Sequence, residues 1–156
     1  MNALALRRRD VLALLALGCS GALARADAQV IHVRKSATCD CCEKWVDHLR
    51  QSGFDVTTEN MAAGALMRFK LDHGLTPELM SCHTARVAGY TIEGHVPARE
   101  ITRLLQDRPE AIGLTVPDMP IGSPGMESGD RRDPYDVLLV KKDGGTTVYA
   151  SYAGKA

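Results

Sequence analysis

A cluster of cysteines between a strand-like and a helix-like segment constrains this chain more than any other feature. Three of the four residues from Cys39 to Cys42 are cysteines, and Cys82 adds a fourth thiol in a distant segment. Apolar and polar residues alternate over residues 30–35, which predicts a half-buried strand. The apolar positions that follow have helical spacing: Cys42, Trp45, Val46 and Leu49. The thiols are therefore expected at a helix N-terminus, where unpaired N–H groups and the helix dipole stabilise thiolates.

The rest of the chain predicts an α/β domain with a thioredoxin-like layout. The patterns predict a strand over 54–59, a helix capped by Asn60, a hairpin of 84–87 with 90–93, a helix between Pro97 and Pro109, and a C-terminal hairpin of 136–142 with 146–152. The 27 residues from Pro109 to Tyr135 contain five of the seven prolines and predict a long loop. A strand–helix–strand unit with cysteines at its first turn, followed by a hairpin and a helix, predicts a thioredoxin-like mixed sheet flanked by helices.

The first 28 residues have the order of an export signal. Arg7, Arg8 and Arg9 precede a short apolar run, and small residues ending at Ala28 follow it. The apolar run is too short to cross a bilayer. Residues 29–156 are then the mature chain, which we expect to be a single domain without a membrane span. The arginines are also similar to a twin-arginine signature, so the general and the twin-arginine export routes both stay open. We expect a periplasmic protein.

Charge excludes one broad class of function. The 156 residues contain 19 Lys and Arg against 19 Asp and Glu, so the formal net charge is zero. A nucleic-acid surface needs basic residues gathered on one face, and the chain has no long basic run. We therefore expect no nucleic-acid partner.

The cysteine spacing favours a metal site. Four thiols in an oxidising compartment would ordinarily predict two disulfides, but three of these lie within four residues. Thiolates favour Cu(I), Zn(II) and iron–sulfur clusters, and bridging thiolates in a polynuclear copper site accept such crowding better than one zinc ion does. The expected ligands are Cys39, Cys41, Cys42 and Cys82. Two alternatives stay open: a thiol–disulfide oxidoreductase that uses Cys39 and Cys42, and a zinc-stabilised interaction module.

Histidines and methionines supply further candidate ligands. His83 follows Cys82 directly, and His95 lies just before a predicted helix. Met119 and Met126 lie on the long loop, where a thioether could reach Cu(I). For each of these four residues an ordinary structural role is the alternative. Trp45 is expected to be a core anchor of the first helix.

Four stretches of this chain resemble one known family. They are residues 35–42 (KSATCDCC), 81–85 (SCHTA), 89–98 (GYTIEGHVPA) and 119–127 (MPIGSPGME). Together they are similar to the CopG-type periplasmic copper-resistance proteins, over about residues 30–152. The resemblance implies a thioredoxin-like domain that holds copper through its four cysteines and helps the cell envelope to tolerate copper. It leaves open whether the protein is an enzyme and whether a periplasmic copper chaperone or an exporter exchanges copper with it.

Export can be tested on the whole chain. In a Gram-negative host we expect periplasmic protein whose intact mass corresponds to a chain beginning at Gln29, because the small residues ending at Ala28 form the cleavage site. Replacing Arg8 and Arg9 by lysine is expected to abolish export only if the twin-arginine route is used. Full-length chain retained in the cytoplasm would contradict the assignment.

Overall fold

The computed structural model describes residues 29–155. The predicted export signal, residues 1–28, lies outside them. Eight strands and helices of a thioredoxin-like core, followed by three more strands, run in this order: β1 (Ile31–Lys35), α1 (Asp40–Gln51), β2 (Val56–Asn60), α2 (Ala63–Asp72), a 3-10 helix (Pro77–Leu79), β3 (His83–Val87), β4 (Tyr90–Glu93), α3 (Ala98–Asp107), β5 (Ala111–Thr115), β6 (Tyr135–Lys141) and β7 (Thr146–Tyr152). None of the described helices is both long and apolar enough to cross a bilayer.

The strands form one mixed sheet in the order β2-β1-β3-β4-β5-β6-β7. β1 is parallel to β2 and antiparallel to β3, and β3 and β4 form the predicted hairpin. Ala88 and Gly89 turn this hairpin with positive φ angles, as a tight two-residue turn requires. The thioredoxin-like prediction is confirmed, and β5 to β7 extend the sheet beyond β4.

Helices cover both faces of the sheet. The main core joins α1 and α3 to one face, and it includes Trp45, Leu49, Ile101, Leu104, Ile92 and Leu114. Because side chains alternate along a strand, Thr84 and Glu93 point to the other face, where Lys70 of α2 meets them. The end of β1 and the start of β3 therefore lie between two layers of helices.

Two sequence predictions were wrong. Residues 109–135 are not one loop, because β5 occupies part of them and pairs with β4 and β6, which leaves a loop over 116–134. This strand is short and contains Gly113, whose Cβ would lie 1.7 Å from the Thr91 carbonyl oxygen. Its stability comes from its neighbours in the sheet, which local patterns do not show. Asn60 does not cap α2, since it ends β2 and its side chain accepts a hydrogen bond from Lys35.

Candidate metal centre

The first three cysteines lie at the N-terminus of α1. Cys39 is the N-cap residue, and no side chain caps the helix there. Cys41 and Cys42 lie in the first turn, and Cys42 is fully buried. Trp45, Val46 and Leu49 fix this helix on the sheet as the predicted apolar stripe. The helix dipole is therefore directed at the sulfur atoms, as the sequence predicted.

Strand pairing brings Cys82 to the same place. Lys35 at the end of β1 is opposite His83 at the start of β3, so Cys82 lies beside the turn that leads into α1. The Cys41 and Cys82 sulfurs are 3.8 Å apart, and those of Cys39 and Cys41 are 3.5 Å apart. We call Cys39, Cys41, Cys42 and Cys82 the cysteine group; their sulfurs all lie within 4.8 Å of one another. Two segments some forty residues apart thus meet in one sulfur-rich pocket.

The cysteine group contains one disulfide. It joins Cys39 to Cys42 across the first turn of α1. Cys41 and Cys82 are free thiols and partly exposed. In this state only two of the four sulfurs can become thiolates, so a four-thiolate metal site would require reduction of the disulfide.

Two histidines contact Cys82, which also belongs to the cysteine group. His83 Nδ1 and His95 Nε2 each lie 3.2 Å from the Cys82 sulfur. Both imidazoles are fully buried. We call Cys82, His83 and His95 the histidine group; their donor atoms also lie within 4.8 Å of one another. Cys82 is therefore the one residue common to both groups.

A backbone carbonyl orients His95. Its Nδ1 lies 2.8 Å from the carbonyl oxygen of Pro124. Since a carbonyl only accepts, Nδ1 carries the proton in the neutral ring and Nε2 presents its lone pair towards Cys82. This tautomer is inferred from the hydrogen-bond partners. Histidines that ligate metals are commonly oriented in this way by an outer hydrogen bond.

Burial keeps these groups neutral in the metal-free protein. Desolvation lowers the pKa of His83 well below its ordinary value, and the neighbouring His95 lowers it further. Desolvation also lowers the pKa of His95. Burial, together with the nearby Cys41, raises the pKa of Cys82 to about 12. Both imidazoles are thus neutral near neutral pH, and the Cys82 thiol keeps its proton there.

The donors suit a soft metal ion. His83 Nε2 is buried and has no hydrogen-bond partner among the described residues, an uncommon state for a buried polar atom. Thiolate sulfur with imidazole nitrogen is a donor set typical of copper and zinc, whereas hard cations require oxygen ligands. The residues present therefore fit copper.

The long loop packs against the cysteine helix. A Cβ on Gly125 would lie 2.8 Å from the carbonyl oxygen of Cys41 and from the backbone nitrogen of Trp45. Gly125 has a φ of +87°, and its neighbour Pro124 supplies the carbonyl that orients His95. The loop thus contacts the centre at the first turn of α1 and at His95.

The two methionines occupy different parts of this loop. Met126 is half-buried next to Gly125, and its backbone N–H donates a hydrogen bond to the Ser123 carbonyl oxygen, which closes a turn. Met119 is 48% exposed and lines a surface cleft together with Pro117, Tyr135 and Asp136. Their participation in metal binding stays a prediction.

Sequence reasoning missed two residues that support the centre, Glu93 and Lys70, and part of the role of Trp45. Trp45 is the core anchor expected, but its ring also lies 4.3 Å from that of His83, and its indole N–H donates to the Val96 carbonyl. Glu93 and Lys70 form a buried ion pair behind Cys82 and His95. Glu93 had one signal, a lone charge in an otherwise uncharged strand. Lys70 had none, because lysine is a common residue in helices.

The fold and the site define a thioredoxin-like protein with a cysteine–histidine centre at the first turn of its first helix. The solved structure titled "Copper resistance protein copG- Form 1" has a TM-score of 0.77 and 41% identity, and covers 82% of this chain and 100% of its own. Form 2 of that protein has a TM-score of 0.76 and 40% identity, and covers 81% and 100%. The chain belongs to the CopG family of copper resistance proteins, as the sequence resemblance implied.

Two further comparisons complete this assignment. Residues 79–126 match a family described as "Protein of unknown function, DUF411". This match includes Cys82, both histidines of the centre and most of the long loop. No curated protein matches the chain.

The close contact at Gly125 can be tested by substitution. Gly125→Ala is expected to lower the free energy of unfolding by about 1–3 kcal/mol more than Gly129→Ala, because the new methyl group meets helix backbone that cannot move away. Gly129 also has a positive φ but nothing within 4 Å, so it controls for backbone strain. The measurement is denaturant unfolding of both variants. Equal losses would mean that the loop does not press on α1.

Proposed function

We propose that this protein binds Cu(I) in the periplasm through the cysteine group and so contributes to copper resistance. The observation that carries the proposal is the convergence of four sulfurs, from two distant segments, within 4.8 Å. The relatives with 40–41% identity are named copper resistance proteins, which supports copper as the metal. Copper is here a cargo that the protein takes up and releases.

The position of Cys82 favours a thiolate-bridged cluster. Its sulfur lies 3.8 Å from the Cys41 sulfur and 3.2 Å from a ring nitrogen of each histidine. One tetrahedral ion takes four ligands, whereas the two groups together offer six residues, Cys39, Cys41, Cys42, Cys82, His83 and His95. A Cys82 thiolate shared between two copper ions would use both groups. Met119 and Met126 are proposed to shield the cluster from the loop side.

The disulfide gives copper binding a redox condition. Reduction of the Cys39–Cys42 disulfide takes up two electrons and two protons and yields two thiols. The reductant would be a dithiol of the envelope. Reoxidation removes two ligands, so copper bound to the cysteine group would be released. The protein would then act as a copper store that responds to the thiol balance of its compartment, and a copper chaperone or exporter would be its partner.

Copper binding can be measured through Trp45, the only tryptophan of the chain. Anaerobic titration of the reduced protein with Cu(I) is expected to change Trp45 fluorescence, because its ring lies 4.3 Å from that of His83. Affinity is expected to rise with pH, since the high pKa of Cys82 makes protons compete with the metal. Cys82→Ser is expected to weaken binding by more than about 100-fold, because it removes the residue shared by both groups.

The control for this titration is His32→Gln on β1. His32 is exposed and bonded to Thr57, so its loss is expected to leave the affinity unchanged. Metal analysis of the same samples separates the zinc alternative, which predicts retention of zinc in preference to copper. Equal copper contents in Cys82→Ser and the unsubstituted protein would refute the proposal.

A second candidate function is thiol–disulfide exchange by Cys39 and Cys42. The disulfide across the first turn of α1 favours it, because this is the redox position of thioredoxin-like folds. The Cys41 thiol lies 3.5 Å from the Cys39 sulfur but is not part of the disulfide. Such exchange needs no metal, so it is separable from copper binding.

Exchange can be tested on metal-free protein with an insulin-reduction assay supplied with a dithiol donor. We expect turnover in the unsubstituted protein and none in Cys42→Ser, which cannot form the disulfide. Cys41→Ser is the matched control, because it removes a neighbouring thiol without removing a disulfide partner. Absence of turnover in the unsubstituted protein would exclude this function.

A further inference from the structure

A buried ion pair lies behind the centre, on the α2 face of the sheet. Lys70 of α2 is 4% exposed, and Glu93 at the end of β4 is fully buried. The Lys70 Nζ and a Glu93 carboxylate oxygen are 2.5 Å apart. Neither side chain belongs to the cysteine group or the histidine group, and copper binding as proposed above does not use them.

The pair is bonded to the segments that carry the two donors Cys82 and His95. The Ser81 backbone N–H donates to Glu93 Oε1 at 2.7 Å, directly before Cys82. The Thr84 hydroxyl donates to Glu93 Oε2 and accepts from Lys70 at 2.8 Å, just after His83. His95 follows Glu93 by two residues. One carboxylate thus connects both sides of Cys82 to the strand end that leads into His95.

Close packing leaves this connection little freedom. Gly94, between Glu93 and His95, has a φ of +70°. A Cβ on it would lie 2.4 Å from the Val116 carbonyl oxygen and 2.7 Å from the Ser81 Cβ. The Glu93–His95 segment therefore lies directly against the residue before Cys82. A shift of Glu93 would move Cys82 and His95 relative to one another.

Stability alone does not explain such a pair. The free energy of desolvating two buried charges cancels most of the free energy of their attraction. Replacing such a pair by well-packed apolar side chains of similar size often leaves a protein equally stable. A carboxylate that accepts several hydrogen bonds fixes the positions of its donors, because each hydrogen bond restricts an angle as well as a distance. Outer groups of this kind orient the ligands of metal sites.

We propose that Lys70 and Glu93 are positioning residues that hold the Cys82 sulfur opposite His95 Nε2. The inference rests on the proposed copper site for its effect on affinity, but the Cys82–His95 contact that it explains exists in the metal-free protein. The pair acts from the far face of the sheet, through Ser81 and Thr84, and contacts no metal itself.

The test uses the double variant Lys70→Met, Glu93→Gln, which removes both charges and leaves no unpaired one. We expect it to keep its far-UV circular dichroism and to bind Cu(I) about 10- to 100-fold more weakly. The matched control is Arg34→Met, Glu59→Gln, which removes an ion pair between β1 and β2 whose side chains are 27% and 58% exposed. Its affinity is expected to stay unchanged.

A second measurement does not depend on copper. In the metal-free unsubstituted protein, nitrogen-15 NMR is expected to show His95 protonated at Nδ1, with Nε2 bonded to Cys82. In the double variant the Nε2 signal is expected to move away from its position in the unsubstituted protein, because the Cys82 contact weakens, while Nδ1 keeps its proton on the Pro124 carbonyl. If the unsubstituted protein fails to bind Cu(I), the proposed function fails, while the NMR result still decides the positioning role.

Thr84→Val keeps the proposal testable if the double variant does not fold. It removes the hydroxyl that joins Lys70 to Glu93 and removes neither charge. We expect the same shift of the His95 signal at smaller size. A folded double variant, or a Thr84→Val variant, whose His95 signal equals that of the unsubstituted protein would overturn the proposal, whatever its copper affinity.

Discussion

The antiparallel pairing of β3 with both β1 and β4 is the constraint on which the centre depends. Pairing with β1 places Cys82 beside the turn into α1, and pairing with β4 places the Glu93–His95 segment on its other side. Because hydrogen-bonded strands lie less than 5 Å apart, donors from three segments fall within reach of one sulfur. The cysteine-rich helix turn supplies thiols, but the sheet decides which further atoms meet them.

Burial then sets the chemistry of these donors. Removal from water keeps both imidazoles neutral and raises the pKa of the Cys82 thiol, so the metal-free centre holds uncharged groups. A metal ion bound as proposed would replace the proton on Cys82. His83 Nε2 has no hydrogen-bond partner within residues 29–155, which is uncommon for a buried polar atom.

The proposed functions differ in how they use the cysteine group. A copper site needs its four sulfurs reduced, whereas disulfide exchange alternates Cys39 and Cys42 between two oxidation states. Cys41 and the histidine group have no necessary part in exchange, yet they lie where additional metal ligands would be useful. The pair of Lys70 and Glu93 is likewise superfluous to exchange at α1, but it is bonded to Ser81 and Thr84 on the two sides of Cys82. These features together favour copper as the primary function.

Local sequence patterns were sufficient for β1, α1, the β3–β4 hairpin and the C-terminal hairpin, because each has a period or a turn of its own. They also placed the three cysteines at a helix N-terminus and identified His83 and His95 as candidates. The Cys39–Cys42 disulfide joins the pair that the sequence offers for thiol–disulfide exchange. Tertiary structure alone decided the β5 strand and the contact of Lys70 with Glu93. The physical reason is that these depend on which strands become neighbours and which side chains lose contact with water. Neither property is contained in a local stretch of residues.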